Sequence, residues 1–205
     1  MLKINKKEEP EFFSKFKKRE KPKNWGDFDF RLKNELKEYM LENEQKIGKE
    51  KYCPYCELKI LLENSQIEHL KPKDKFPELF SDYENFIVGC VDKKTCGQAK
   101  GNKWDRLFIN PVMENPQEYF SYRLRTGEII PKIDNGLEYK KAIKTIEILN
   151  LNEKKLCDYR KVYINQIINI SKNLKEEEKI EIIEYFDEFP TLKEFLIENI
   201  EILKF

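Results

Sequence analysis

Apolar positions recur every third or fourth residue through most of this chain, and the middle third is where that rhythm breaks. Phe12, Phe13 and Phe16, following a proline suited to a helix's first turn, predict a helix over residues 10–19. Lys21-Pro22-Lys23-Asn24-Trp25-Gly26-Asp27 interrupts it. Phe30, Leu32, Leu36, Tyr39, Met40 and Ile47 then predict a longer helix reaching about residue 47, with Gly48 as its stop. Residues 57–69 suit a short hairpin turning at Asn64-Ser65, with Ile67 to His69 on the returning strand. Two prolines make residues 71–80 a loop, Phe86-Ile87-Val88 reads as a brief buried strand, and a helix can begin after Gly101. A second hairpin is expected over 119–130 around Thr126-Gly127. From Leu137 onward the pattern is helical almost without pause. Ala142, Ile143, Ile146 and Leu149 form one face, Leu156, Tyr159, Val162, Tyr163, Gln166, Ile167 and Ile170 another, and 180–186 and 192–203 two more.

Composition narrows the function classes. With 205 residues, 40% hydrophobic and 38% charged in near balance, the chain can bury a core and is neither an acidic tail nor a histone-like polycation. The balance is uneven along its length. Residues 1–23 carry nine Lys/Arg against four Glu, while 171–205 carry five Lys against ten Asp/Glu. A basic end beside a hydrolytic site would attract phosphate, whereas two solvated helix faces would look the same. No apolar run opens the chain as a signal peptide would, and none reaches membrane-spanning length, so a cytoplasmic protein with no membrane partner is expected. In a reducing compartment five cysteines, four of them paired by spacing, read as metal ligands rather than disulfides, which leaves Cys157 as a buried thiol.

Cys53-Pro54-Tyr55-Cys56 is a tight knuckle, and Cys90 and Cys96 follow with a wider gap from which Val91 to Thr95 must bulge outward. Four thiolates close a tetrahedral Zn2+ site and leave it no open position, so this zinc is structural rather than catalytic. Between the pairs lies the one histidine, His69, next to Glu68. A neutral imidazole is a general base able to take a proton from water attacking phosphorus, and a carboxylate is an oxygen ligand for a hard divalent cation. Consecutive strand residues face opposite ways, so both address one phosphate only where the strand bends; in a regular strand Glu68 is a surface carboxylate. Asn85, ahead of the Phe86 strand, can tie its loop back to the histidine strand or serve as a simple turn residue. Lys71, Lys73, Lys100 and Lys103 are candidate phosphate contacts.

Taken in order, the acidic-His pair, the middle Asn85 and the run Cys96-Gly97-Gln98-Ala99-Lys100-Gly101 resemble the motif of the HNH endonucleases, the ββα-metal nucleases. Glu8-Glu9-Pro10, Trp25, Glu44-Gln45, Ile109-Asn110-Pro111 and Leu149-Asn150-Leu151-Asn152 through Arg160 look more narrowly like the PtuB-like HNH subunits of Septu-type antiphage systems and retron effectors. The resemblance implies an α+β fold, mostly helical. A zinc-clipped ββα-metal core over 49–115 would be flanked by an N-terminal helical segment, 1–48, and by a hairpin and C-terminal helical bundle over 116–205. It also implies His69 as general base, Glu68 as a ligand of a catalytic Mg2+ or Mn2+, Asn85 as the loop's brace, DNA as substrate and an SMC/ABC-type ATPase as partner. Where the family has Asn or His after the last cysteine, this chain has Gly97, which offers no side chain to a metal. Gln98, Asn102 or Asp105 could stand in, Asn102 first because it follows Lys100-Gly101. That departure keeps a second expectation open, a zinc-stabilised subunit that grips nucleic acid or the ATPase without cutting. RNA as substrate is a third, since nothing here distinguishes a duplex groove from one for single strands.

Overall fold

A computed structural model describes residues 1–203. Helix α1, Glu11–Glu20, starts from an extended Pro10 and stops where Lys21 turns left-handed, at φ 47°. A 3-10 turn over Trp25–Asp27 is capped by Asn24, whose side chain accepts from the Gly26 amide at 2.8 Å. Helix α2 spans Phe30–Asn43, capped by Asp29 through the Leu32 amide. It ends at Asn43 rather than near residue 47, and Gly48 instead forms the turn between β1, Lys46–Ile47, and β2, Glu50–Lys51. The cause is Gln45. Its buried amide donates to the carbonyls of Tyr52 (3.0 Å) and Val88 (2.8 Å) and accepts from Val88 N (2.7 Å), so the chain leaves the helix to deliver it inward.

Strand β3, Ser65–His69, pairs antiparallel with β4, Phe86–Cys90, in a register running from Ser65↔Cys90 to His69↔Phe86. The local hairpin expected across Asn64-Ser65 does not form, and residues 57–62 contribute only an isolated bridge, Tyr52↔Lys59. Every residue of β4 is buried, so pairing with it sets β3 against the core. Helix α3, Cys96–Lys100, ends at Gly101 instead of beginning there, because the chain enters it directly from the last cysteine.

Strands β5, Phe120–Arg123, and β6, Glu128–Pro131, form the second hairpin around Thr126-Gly127. Gly127 has φ 74°, and a Cβ there would lie 3.0 Å from Lys161 N and closer still to the Cys157 carbonyl. The buried Arg160 guanidinium locks the same junction by donating to the carbonyls of Gly127 (3.1 Å) and Leu151 (2.9 Å). Gly127→Ala should therefore destabilise the protein by about 1–3 kcal/mol, read as a lowered thermal midpoint; an unchanged midpoint would contradict this packing.

Helices α4 (Gly136–Leu149), α5 (Lys154–Ser171), α6 (Glu176–Tyr185) and α7 (Pro190–Glu198) complete the chain before a last 3-10 turn. The faces of α4 and α5 bury Ala142, Leu149, Leu156, Tyr163 and Ile167 as expected but are partly rotated. Ile143, Tyr159, Val162 and Ile170 are 40–54% exposed, because the interior line runs through Thr145, which accepts from Ile109 N at 2.9 Å, and through Arg160. Cys157 is half-buried rather than buried. Among the described residues no helix is long and apolar enough to cross a membrane.

One hydrophobic cluster joins residues from Met1 to Leu196. On the N-terminal side it is an aromatic stack in which Phe13 lies edge-on to Phe28 (5.5 Å) and Phe86 (6.1 Å), and Trp25 edge-on to Phe28 (5.1 Å). Buried Glu57, directly after the knuckle, accepts from the Met1 amine (2.6 Å), the Thr191 amide (2.7 Å) and the Thr191 hydroxyl (2.6 Å), tying the cysteine segment to α7.

Candidate active site

The four paired cysteines come together. Cys53 and Cys56 follow β2, Cys90 ends β4 and Cys96 opens α3; all are buried, with ligand atoms within 4.8 Å of one another. Tetrahedral metal–sulfur bonds of about 2.3 Å place sulfurs about 3.8 Å apart, and the Cys56 and Cys90 sulfurs are 3.9 Å apart. The cluster can hold a structural metal ion such as zinc. Its wide second gap bulges outward through exposed Val91, Lys93 and Lys94, while Thr95 turns inward.

Strand β3 pairs on one side only, which leaves its other edge open. A depression of about 320 Å³ follows that edge, lined by Gln66, Ile67, Glu68 and His69 in succession, by Gly97, Gln98 and Lys100 of α3, and by Trp25, Lys73 and Asn102. The strand is undistorted, with five consecutive residues in register. Glu68 and His69 nonetheless share one depression, because it follows the strand's edge rather than either face.

Glu68 is buried, not a surface carboxylate. Its Oε1 accepts from Lys100 Nζ at 2.7 Å, and the same ammonium donates to the His69 carbonyl at 2.7 Å. Lys100 is 1% exposed, so the lysine read as a phosphate contact is an internal counter-ion; ending α3 at Gly101 turns it toward β3. Burial raises the Glu68 pKa above the usual carboxylate value, against the lowering by Lys100. Oε2 lies over Gly97, where a Cβ would stand 2.5 Å from it. The residue that departs from the family pattern thus makes room for the carboxylate. No hydrogen-bond donor among the described residues engages Oε2.

His69 Nε2 lies 3.1 Å from the Phe80 carbonyl. A carbonyl only accepts, so Nε2 carries the proton and Nδ1 keeps its lone pair. Burial pulls the imidazole pKa down to about 4 against the Phe80 hydrogen bond, so the ring is neutral at pH 7. Trp25 and Phe86 meet it edge-on at 4.7 and 4.9 Å and fix its plane. Buried Asn85 closes the loop between the strands: Oδ1 accepts from Lys71 N (2.8 Å), Nδ2 donates to Lys71 O (3.0 Å), and its own carbonyl accepts from Leu70 N (2.9 Å).

The remaining candidates are spread more widely. Lys73 lines the depression, Lys71 is exposed with its ammonium 5.6 Å from the Phe76 ring, and Lys103 is exposed outside the lining. Asn102 lines the depression while its amide donates to Asp74 at 2.6 Å, and Gln98 donates to Gln66 at 2.9 Å. Asp105 faces a different hollow, with Leu70 and Trp104.

No family model matches the chain. Over 131 residues it is 36% identical to the protein named "Retron Vc95 putative HNH endonuclease" of Vibrio cholerae serotype O1 biovar El Tor, across 60% of this chain and 62% of that one. Over 142 residues it is 28% identical to the Septu protein PtuB of Bacillus thuringiensis, across 66% of this chain and 48% of that one. The chain is thus similar to one protein named a putative HNH endonuclease of a retron and to one named a Septu protein. The chain spans less than two thirds of the length of each of these curated relatives. Three contributors to this candidate site escaped sequence reasoning. Gln66 carried no signal, Phe80 acts through a backbone carbonyl that no side-chain pattern marks, and Trp25 stood in the Lys-Pro-Lys-Asn-Trp break and among the residues of the family resemblance with no role at the site.

Proposed function

We propose that this chain is an HNH-type endonuclease that hydrolyses DNA phosphodiester bonds as the effector of an antiphage system. The supporting observation is the convergence of a neutral imidazole and a buried carboxylate on the open edge of β3, one helix away from the cysteine cluster. In this reading β3, β4 and α3 are the ββα unit and the cysteines hold zinc. His69 Nδ1 accepts the proton of a water whose oxygen attacks phosphorus, and the bond to the 3′ oxygen breaks. Phe80 holds the tautomer, while Trp25 and Phe86 hold the ring.

The donor set suits a magnesium-type ion, which keeps several waters and needs only one or two carboxylates beside the substrate phosphate. Glu68 Oε2 would hold it, with the Asn102 amide oxygen as a second donor. Bound there, a Mg2+ or Mn2+ ion supplies Lewis-acid stabilisation of the charge developing on phosphate oxygens. Asn85 keeps the loop closed, and Lys73 contacts substrate phosphate. An SMC/ABC-type ATPase partner, implied by the family resemblance, belongs to the same reading and is checked by co-purification.

Gly97 favours a second reading, a binding subunit without catalysis, since it removes one side-chain ligand. Chelation that spares the cysteine-bound metal, followed by Mg2+ or Mn2+, decides between them. Cleavage of plasmid DNA should stop and return. Cleavage indifferent to chelation contradicts the role of Glu68, and no cleavage with either ion, with or without the partner, leaves the binding subunit.

A further inference from the structure

We propose that α2 supplies a second nucleic-acid-binding surface, a track of lysines and aromatic rings that leads a single strand past Trp25 into the depression at His69. This rests on the nuclease reading and extends it to residues outside the family motif. A second depression, of about 260 Å³, is lined by Trp25, Lys33, Asn34, Lys37 and Ser65 together with Gln66 and Ile67. It shares Trp25, Gln66 and Ile67 with the depression that holds His69. The two are successive stretches of one groove along the open edge of β3.

The floor and wall of that groove are suited to a phosphate backbone. Lys37 Nζ bonds the Ser65 carbonyl at 2.9 Å at one end, and Lys100 Nζ the His69 carbonyl at the other. Between them, by the two-residue repeat of a strand, the N–H and C=O of Ile67 face the same open edge. Lys33 and Lys37 stand one helical turn apart on α2, and Phe30 and Asn34 extend the same face. Among the described residues Lys33 has no carboxylate at ion-pair distance, and its ammonium lies 5.1 Å from the Trp25 ring centroid. Lys37 is bonded only to a carbonyl, with Glu63 as the acidic group nearby.

Phe30 is 80% exposed at the far end of this face, where it contributes nothing to the core. Trp25 is half-buried, with its ring nearly perpendicular to that of His69. Unneutralised cations alternating with accessible rings are what an unpaired strand needs, since lysines follow its phosphates and rings stack on its bases. Bases paired in a duplex cannot stack on either ring, which selects single strands.

The test uses full-length protein carrying His69→Ala, which prevents turnover, and fluorescein-labelled single-stranded DNA, single-stranded RNA and duplex DNA in anisotropy titrations over a range of salt. Single strands should bind more tightly than duplex, and the DNA and RNA arms identify which strand is preferred. Lys33→Ala with Lys37→Ala should weaken that binding about tenfold or more and lower the salt slope by about 1.4, two phosphates at about 0.7 each. Phe30→Ala should weaken it about fivefold or more. Because Lys37 also caps the Ser65 carbonyl, Lys33→Glu serves as an independent variant with no such bond, and its thermal midpoint should match the parent's. Parent-like affinity and slope in the lysine variants, or preference for duplex, overturns the track while leaving the nuclease reading standing. A parent that binds none of the three nucleic acids overturns both.

Discussion

A Cys53→Ser protein should lose its bound metal and its cooperative fold together. Metal binding in sites of this kind is worth about 10–16 kcal/mol of apparent free energy that is realised as folding, comparable to the whole stability of an ordinary domain, about 5–15 kcal/mol. The clip here draws together the knuckle, the end of β4 and the start of α3, and so sets the position of the helix that carries Gly97 and Lys100. Metal analysis and a circular-dichroism melt check it. The variant should be metal-depleted and melt without a sharp transition, whereas Cys157→Ser, which alters a half-buried thiol outside the cluster, should keep both. A Cys53→Ser protein that melts like the parent would show that the cysteines hold nothing the fold requires.

The second large effect is expected at the other end of α3. Lys100→Met removes the counter-ion of a buried carboxylate, and breaking such a pair from one side costs about 3–5 kcal/mol because the remaining charge is left without a partner. For a chain of this size that lowers the thermal midpoint by roughly 6–20 °C. Adding Glu68→Gln should recover most of the loss, since the amide needs no counter-ion. This reversal separates the ion pair from mere packing of the lysine stem. Equal midpoints for Lys100→Met and the parent, or losses that simply add in the double variant, would remove the pair from the account.

What could be read from the residues was what depends on near neighbours. Helix α1 and the β5–β6 hairpin follow from Pro10, from the phenylalanine spacing and from Thr126-Gly127, all local signals. The cysteine cluster was legible because metal coordination limits spacing and residue type so strongly. Strand β3, by contrast, chooses a partner across a long loop, and burial of β4 decides that choice rather than the turn at Asn64-Ser65. The expected faces of α4 and α5 keep Ala142, Leu149, Leu156, Tyr163 and Ile167 inside, but Ile143, Tyr159, Val162 and Ile170 are displaced because Thr145 and Arg160, polar residues that an apolar count sends outward, hold the interior line.

At the site itself the pairing of Glu68 with His69 was visible, but the reason they can meet was not. It lies in sheet topology, in an edge left unpaired, which no alternation of side chains encodes. Gly97, which offers no side chain to a metal, also leaves space for the carboxylate. Lys100 looked like a surface cation and is instead the charge that allows Glu68 to be buried.

The proposed catalysis rests on the imidazole at the β3 edge turning water into the nucleophile. A general base of this type contributes about 10²–10⁴-fold to rate, and the neutral ring has its Nε2 proton directed at Phe80, leaving Nδ1 as the group that accepts. The most direct measurement compares single-turnover cleavage of a labelled nucleic acid by the parent and by His69→Ala, each purified with the same metal content and supplied with the same divalent ion. The parent should cut, the variant's rate should fall by at least about 10²-fold, and both should bind the substrate equally. A His69→Ala protein that cuts at the parent's rate would contradict that role for the imidazole.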